Sequence, residues 1–561
     1  MNFYLTSKLG LYVTFAYEGG GKCGCYPDGS QPQTFRELID GFDAEAFACE
    51  CAEIGVDYVN FTAYHANMYP LYPSEYLKKM LPGHSAERDV IRELIDALHK
   101  RNIKLQLYIH ATIGDTMKEE DRTRLGFHDS ACGYQRWNDF VNGFFAELAA
   151  RYGTDIDSYY FDMIFDKPFL TMIDFKRLYQ TIKSANPDVV VVGNGESNDA
   201  VDYGSREDGM ADFAVAEDRM AYPTQTVICL SDWWWSTKPN TVKNAAKYTP
   251  EHLFKLFVLT CGANTEGGGL AIGASPYVGG GFEPNVKETL LQFSKLVQPI
   301  AESLKNTLPS RSYITPAGFR IPDLLYGITA TTSAGGRYEY IHVLCPPEEK
   351  RIRLPLPRDG KRFVSAEMLR TGNPAEIQYD NDGITILVPD EWDVLDTVIK
   401  LNCEELPKEE FQTETLPREK MSVLSSSSTV CGCGPEKLLD GKTDTFWWTT
   451  GDILSQITFQ LDQEYEICRI RVLPRQDGAG EKLISHISLY SVFVSTDGEH
   501  YIPVASGEWK RSMDEKNVSF PPVMARYVRI VSGPNWLPES WRVFPVSSSS
   551  AANISIDIKK S

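Results

Sequence analysis

Basic residues are in short supply. Lys and Arg number 56 against 76 Asp and Glu, giving a net charge of −20. Nucleic acids and anionic bilayers are bound through clustered Lys and Arg. The balance therefore argues against both as partners and suits a neutral ligand. Long hydrophobic runs are missing too. No stretch reaches the ~18 continuous apolar residues of a membrane span, so no membrane span is expected. The first residues lack the basic-then-apolar pattern of a secretory leader. The expected location is cytoplasmic, or periplasmic or secreted if a signal peptide has been removed. The 12 cysteines include three C-x-C pairs, Cys23/Cys25, Cys49/Cys51 and Cys431/Cys433, but no pair at the C-x-x-C spacing of a zinc knuckle. Structural thiols are the expectation.

What is present is an alternating pattern. From about residue 9 to 305, short apolar runs alternate with amphipathic helical ones. Strands are predicted at 11–17, 56–62, 104–109, 156–161, 189–192, 212–216, 226–230 and 270–273. Helices are predicted at 42–55, 88–102, 137–152, 169–185, 250–260 and 285–304. Asp43 is the expected cap of the first helix and Gly55 its stop, and Asn285 and Glu288 have the spacing of a capping box. Alternation over ~300 residues predicts a (β/α)8-like barrel, with a doubly wound open sheet as the rival. After about 310 the period becomes two, which predicts a small β-sandwich. The expected domains are the barrel over 1–308, the sandwich over 309–404, a Pro/Glu/Lys-rich linker over 405–421 and a second all-β unit over 422–561. The fold class is thus α/β plus all-β.

Barrels carry their chemistry at the C-terminal ends of their strands. The polar residues that end apolar runs are Tyr64 and His65, His110, Asp162, Asn194 and Glu196, Glu217, and Asp232 with Trp233, Trp234 and Trp235. Two carboxylates, histidines and a tryptophan run on one rim match the needs of glycosidic cleavage. One carboxylate attacks or stabilises an oxocarbenium-like carbon and the other protonates the leaving oxygen. Each residue also has a structural reading: Asp162 as a helix cap, His110 as a satisfied core group, the tryptophans as packing.

Several stretches, in order, resemble glycoside hydrolase family 29, the retaining α-L-fucosidases. Gly10-Leu-Tyr-Val-Thr-Phe-Ala-Tyr17 is similar to that family's first strand, and Thr62-Ala-Tyr-His-Ala-Asn-Met-Tyr69 to its second strand and following loop. Tyr159-Tyr-Phe-Asp162 resembles the stretch that ends in the nucleophile. Ser231-Asp-Trp-Trp-Trp235 and Cys261-Gly-Ala-Asn-Thr265 resemble later motifs. The resemblance covers about 400 residues and implies a retaining exo-glycosidase acting on terminal α-linked fucose or a related sugar, with no catalytic cofactor. It implies Asp162 as nucleophile, a sugar contact at His65, and pocket walls from Trp233, Trp234 and Trp235. Tyr17, Tyr64, His110 and Glu196 complete the expected substrate contacts. For the acid/base the choices are Glu217, Glu207 and Glu196. Glu217 is favoured because it ends an apolar run, whereas Glu207 reads as part of a polar loop. Thr14, Tyr64 and Ala66 depart from the family's His, Lys and His, groups that hydrogen-bond fucose hydroxyls. Each lost contact costs ~1–3 kcal/mol. The alternative is therefore a catalytically degenerate, carbohydrate-binding scaffold.

Residues 422–558 resemble the discoidin, or coagulation-factor type C, domain, the jelly-roll β-sandwich shared by family 32 carbohydrate-binding modules. The resemblance rests on Leu439-Asp-Gly-Lys-Thr-Asp-Thr-Phe-Trp447, Val494-Ser-Thr-Asp-Gly-Glu499 and Ala525-Arg-Tyr-Val-Arg-Ile530. It implies structural calcium at the loop of Asp440 and Asp444, with Asn553 where the family has a terminal acidic ligand. The plain alternative is a turn. Phe446, Trp447 and Trp448 compete for the place of the ring that packs beneath the loop. The expected partner is an oligosaccharide or glycoconjugate.

Overall fold

Eight parallel strands close on one another in the computed structural model of the protein: β1 Leu9–Val13, β2 Tyr58–Tyr64, β3 Lys104–His110, β4 Ser158–Asp162, β5 Val190–Asn194, β6 Tyr203–Glu207, β7 Thr224–Cys229 and β8 Leu270–Gly273. Each pairs with the next and β8 pairs back to β1, so the sheet has no edge and the open-sheet alternative is ruled out. The structure describes all residues except 1–2, 18–23, 111–116, 163, 165–171, 195–199, 208–223, 232–233, 235–245, 264–268, 311, 314, 316–323, 358–360, 381–382, 405–411, 451–454, 479–484, 488, 510–511, 533–547 and 561.

Local chemistry explains the elements around the barrel. Asp43 accepts from Ala46 N to start the helix Ala44–Ile54, and Gly55 ends it at φ 80°, a conformation that costs glycine little. Asp89 caps Val90–His99 in the same way. The helix read over 285–304 starts at Pro284, after Glu283, with no side-chain cap bond. The capping box expected of Asn285 and Glu288 does not form, because proline at the first helical position already presets the backbone. This helix gives way to a 3-10 turn at Gln298–Ile300, where Pro299 removes a donor.

The barrel interior is filled largely by tyrosine. Tyr12, Tyr58, Tyr108 and Tyr160 pack with Val190, Val192, Val227 and Ala271. Tyr4, from the short helix Phe3–Thr6, stacks on Tyr203 with ring centroids 4.7 Å apart and donates to Gly204 O over 3.2 Å. Tyr203 opens β6, so this pair fills the N-terminal end of the barrel. The functional face is therefore the opposite one.

β6 corrects the sequence reading. Residues 203–207 look like a polar loop because glycine and serine replace a β-branched run. The strand forms through its partners: it pairs in parallel with β5 and β7. The preceding Asp202 accepts from Val191 N, Tyr179 Oη and Lys183 Nζ over 2.7–2.9 Å. The strand predicted at 212–216 lies outside the described residues.

The chain divides into two compact units, the main boundary falling between Asn306 and Thr307. The second unit holds an eight-stranded antiparallel sheet between Thr307 and Cys403 and a seven-stranded antiparallel sheet between Thr413 and Lys559. Each has its own apolar core. Among the described residues no helix is long and apolar enough to cross a membrane, and no disulfide joins two described cysteines.

Candidate active site

Strand periodicity aims Asp162 at the barrel mouth. Alternate residues of β4 face one way, so Asp162 shares the inward face of Ser158 and Tyr160. Parallel register sets it beside His110, the last residue of β3. Its Oδ2 accepts from Tyr108 Oη over 2.5 Å and its Oδ1 from Asn194 Nδ2 over 2.8 Å. The residue is 9% exposed. A carboxylate held this way can point an oxygen at a bound carbon without turning.

Glu207 ends β6 on the same rim. The Asn194 amide nitrogen that serves Asp162 also donates to Glu207 Oε1 over 3.0 Å. The two accepting oxygens are therefore no more than about 6 Å apart. Glu207 keeps part of its surface in solvent, while its charge is felt by Tyr12, Tyr108 and Tyr160. Partial loss of hydration, and then repulsion from Asp162, push its carboxyl up to about 7; the Asn194 bond opposes the rise. Two adjacent carboxyl groups are thus in different environments, the condition for one to attack and the other to carry a proton.

His110 is 5% exposed and sits against His65, ring centroids 4.3 Å apart. Burial first, and the neighbouring imidazole second, push it down to about 3, with Asp162 pulling the other way. It is neutral at working pH. Its Nδ1 is buried without a hydrogen-bond partner among the described residues. His65 lies parallel to Tyr108 at 5.9 Å and 8°. Both histidines stand on the rim beside Asp162.

Trp234 supplies an apolar wall. Its ring is 5.1 Å from Tyr12 and lies over Gly273, where a Cβ would fall 2.6 Å from the indole. Ser275 ties this wall to the first strand: its hydroxyl donates to Trp234 O and accepts from Thr14 N over 2.9 Å.

Two expected contacts are elsewhere. The Tyr64 ring packs on Phe144 and Phe145 at 4.8 and 6.2 Å and is fully buried. A register shift between Thr62 and Tyr64 in the β2–β3 ladder accompanies its turn toward the helix Gln135–Tyr152. Tyr17 contacts Phe35 and Tyr69 instead of the carboxylates. Glu196, Glu217, Trp233 and Trp235 lie outside the described residues. The reading of Glu207 as a loop residue is overturned, since it terminates a barrel strand.

Sequence reasoning passed over Tyr12, Tyr108 and Tyr160. Their signal was legible: Tyr108 and Tyr160 each stand two residues before a strand-ending candidate, on the same face. Tyr12 meets both edge-on at 5.7 and 5.5 Å.

In the C-terminal module Trp447 is 1% exposed and belongs to the core. Phe446 and Trp448 instead face the Arg475 guanidinium at 3.9 and 4.9 Å. Asp440 accepts from Lys442 N over 2.9 Å and from Thr445 Oγ1 over 2.7 Å, bonds characteristic of a turn. Among the described residues no group of three His, Cys, Asp or Glu side chains is placed to hold a metal ion.

Residues 29–302 match the family model described as alpha-L-fucosidase, and residues 422–538 match that of the F5/8 type C domain. Similar solved structures include alpha-L-fucosidase isoenzyme 1 from Paenibacillus thiaminolyticus, with 19% identity, 72% of this chain and 98% of that chain covered, and a TM-score of 0.52. An alpha-L-fucosidase from Bacteroides thetaiotaomicron has 18% identity over 72% and 94%, with a TM-score of 0.52. The alpha-L-fucosidase from Vibrio sp. strain EJY3 has 14% identity over 100% and 97%, also with a TM-score of 0.52. At these identities the likeness is one of fold. Galactose oxidase of Gibberella zeae is 36% identical over 103 residues, which make up 17% of this chain and 15% of that protein. The chain thus spans only 15% of the length of that curated relative.

Proposed function

Starting from a barrel that carries the α-L-fucosidase family region and a following F5/8 type C domain, we propose that this protein is a retaining exo-glycosidase acting on terminal α-linked fucose or a related neutral sugar. Asp162 attacks the anomeric carbon while Glu207 gives its proton to the departing oxygen, so one C–O bond forms as the glycosidic C–O bond breaks. Water then enters. Glu207 takes back a proton, the new oxygen bonds to the anomeric carbon, and the bond to Asp162 breaks.

The observation that carries this reading is the amide of Asn194 donating to both carboxylates. Oxygens within about 6 Å suit the ~5–5.5 Å separation of retaining enzymes better than the ~6.5–9.5 Å that admits an attacking water. Tyr108 holds the nucleophile in its attacking orientation. Neutral His110 has a ring nitrogen to offer a sugar hydroxyl, and Trp234 faces the apolar side of the ring. Thr14 and Ala66, both buried, remove hydroxyl contacts that the family uses, which favours a sugar other than fucose or weaker recognition of fucose. The F5/8 type C domain supports a glycan as the natural target.

The experiment is turnover of a panel of aryl α-glycosides and fucosylated oligosaccharides by the purified chain and by Asp162→Asn. Turnover that Asp162→Asn abolishes is expected. No turnover on any substrate, or turnover indifferent to Asp162→Asn, overturns the assignment. Glycan binding without hydrolysis would then leave a carbohydrate-binding scaffold.

A further inference from the structure

One C-x-C pair stands in a tight turn of the C-terminal module, within reach of solvent. Buried structural thiols are expected of such pairs, yet Cys431 is exposed and Cys433 only partly buried, and both thiols are free. Cys433 N donates to Val430 O over 2.9 Å, which closes a four-residue turn. Its third residue, Gly432, has φ 81°, the positive value that a type II turn requires there and that glycine supplies.

The turn is fastened to the strand Trp447–Trp448. Val430 N donates to Trp448 O over 2.9 Å, and Trp448 N donates to Cys433 O over 3.1 Å. Thr429 pairs with Thr449 across the same ladder. Trp448 is itself held, its indole nitrogen donating to Ser548 Oγ over 3.1 Å. Backbone bonds therefore keep the two thiols together. Residues two apart span at most about 7 Å when fully extended. Turning shortens that span into the ~4.4–6.8 Å between α-carbons that a disulfide bridges. Burial pushes the Cys433 thiol up, Arg475 opposes the rise, and Asp477 and Cys431 add to it. The other C-x-C pair among the described residues is built differently. Cys49 and Cys51 lie in the helix Ala44–Ile54, where residues two apart do not share a face; Cys51 is buried and Cys49 exposed.

We propose that Cys431 and Cys433 form a thiol–disulfide site whose co-reactant is a small soluble disulfide. The exposed Cys431 thiolate attacks one sulfur of that reagent, whose S–S bond breaks to release one thiol. The Cys433 thiolate then attacks Cys431 Sγ, forms the bond between the two and releases the second thiol. The protein gives up two hydrogens and two electrons, and the reagent's disulfide becomes two thiols. A bridge across so short a loop removes little chain entropy, so it adds little as a staple. Exposed bridges are also the readily reduced kind. The site is thus reversible, and it opens and closes the turn that carries Trp448.

The test incubates the full chain with oxidised glutathione, blocks remaining thiols with iodoacetamide and digests with trypsin. Cleavage after Lys420 and Lys437 places these two cysteines alone in one peptide. In wild type that peptide is expected to escape alkylation and to be lighter by two hydrogens, and dithiothreitol added before alkylation should reverse both. Cys433→Ser should stop at the intermediate, with glutathione on Cys431. The ratio of bridged to glutathione-bearing peptide should be about tenfold higher in the folded chain than in guanidinium, because folding raises the effective concentration of one thiol at the other. Two alkylated thiols in the wild-type peptide, a bridge to a different peptide, or a ratio no higher in the folded chain would each overturn the site.

Discussion

The hydroxyl of Tyr108 donates to Oδ2 of Asp162 over 2.5 Å, two residues before the end of one strand reaching the last residue of the next. Its neighbours keep the phenol protonated: burial, and then the Asp162 charge, raise Tyr108 well above its usual range. It is therefore a permanent donor that orients the proposed nucleophile. Removing a hydrogen bond to a charged group costs ~1.5–3 kcal/mol. Tyr108→Phe is expected to lower kcat/KM by roughly 10- to 150-fold with the fold intact, as steady-state kinetics beside a thermal melt would measure.

Glu207 is raised to about 7 by burial and by Asp162, so its protonated form prevails below that pH. The kcat/KM profile is expected to fall on the alkaline side through about pH 7. The same shift bears on stability. A carboxyl raised above its ordinary 4.5 favours the folded state fully below that value, and the advantage fades as pH climbs through 7. In Asp162→Asn the repulsion disappears while the burial remains. The Glu207 carboxyl 13C shift should then titrate at lower pH than in wild type, yet still above 4.5.

Two of the three glutamates weighed from the sequence, Glu207 and Glu217, are separable. General acid catalysis contributes about 10²–10⁴-fold. Glu207→Gln should lose that much on a natural glycoside and far less on a substrate with an activated leaving group. Glu217→Gln is expected to retain near wild-type kinetics. The reverse pattern would transfer the acid/base role to Glu217.

Gly273 leaves room for the Trp234 indole. A Cβ there would lie 2.6 Å from the ring and 2.9 Å from Ile228 O, and the backbone oxygen cannot swing aside as a side chain can. Overpacking of this kind costs ~1–3 kcal/mol. Gly273→Ala should lower Tm by several degrees and raise KM more than it lowers kcat, because it displaces a wall and leaves the reacting groups in place.

Both oxygens of Asp440 already accept hydrogen bonds within their own turn. EDTA is therefore expected to leave the melting of the isolated second unit within about 1 °C of its value in calcium. A calcium-dependent rise of ten degrees, lost in Asp440→Ala, would restore the ion to this loop.

Local rules carried much of this protein. Asp43 and Gly55 bound their helix as capping chemistry requires, and alternating apolar runs announced a barrel. Asp162 could be recognised at a strand end because period-two alternation and a terminal polar residue are both visible in a short window. The pairing of Asp162 with Glu207 could not be read that way. It depends on β6, whose Tyr-Gly-Ser-Arg-Glu carries no strand signal of its own and forms only because β5 and β7 offer it hydrogen bonds on both sides. Nor could the direction of Tyr64 be read, because a register shift beside β3 sends its ring outward to Phe144. The residues themselves determined which groups were available. Closure of the barrel decided which faced one another, because contacts between chain segments tens of residues apart override weak local preference wherever backbone groups would otherwise be buried unpaired.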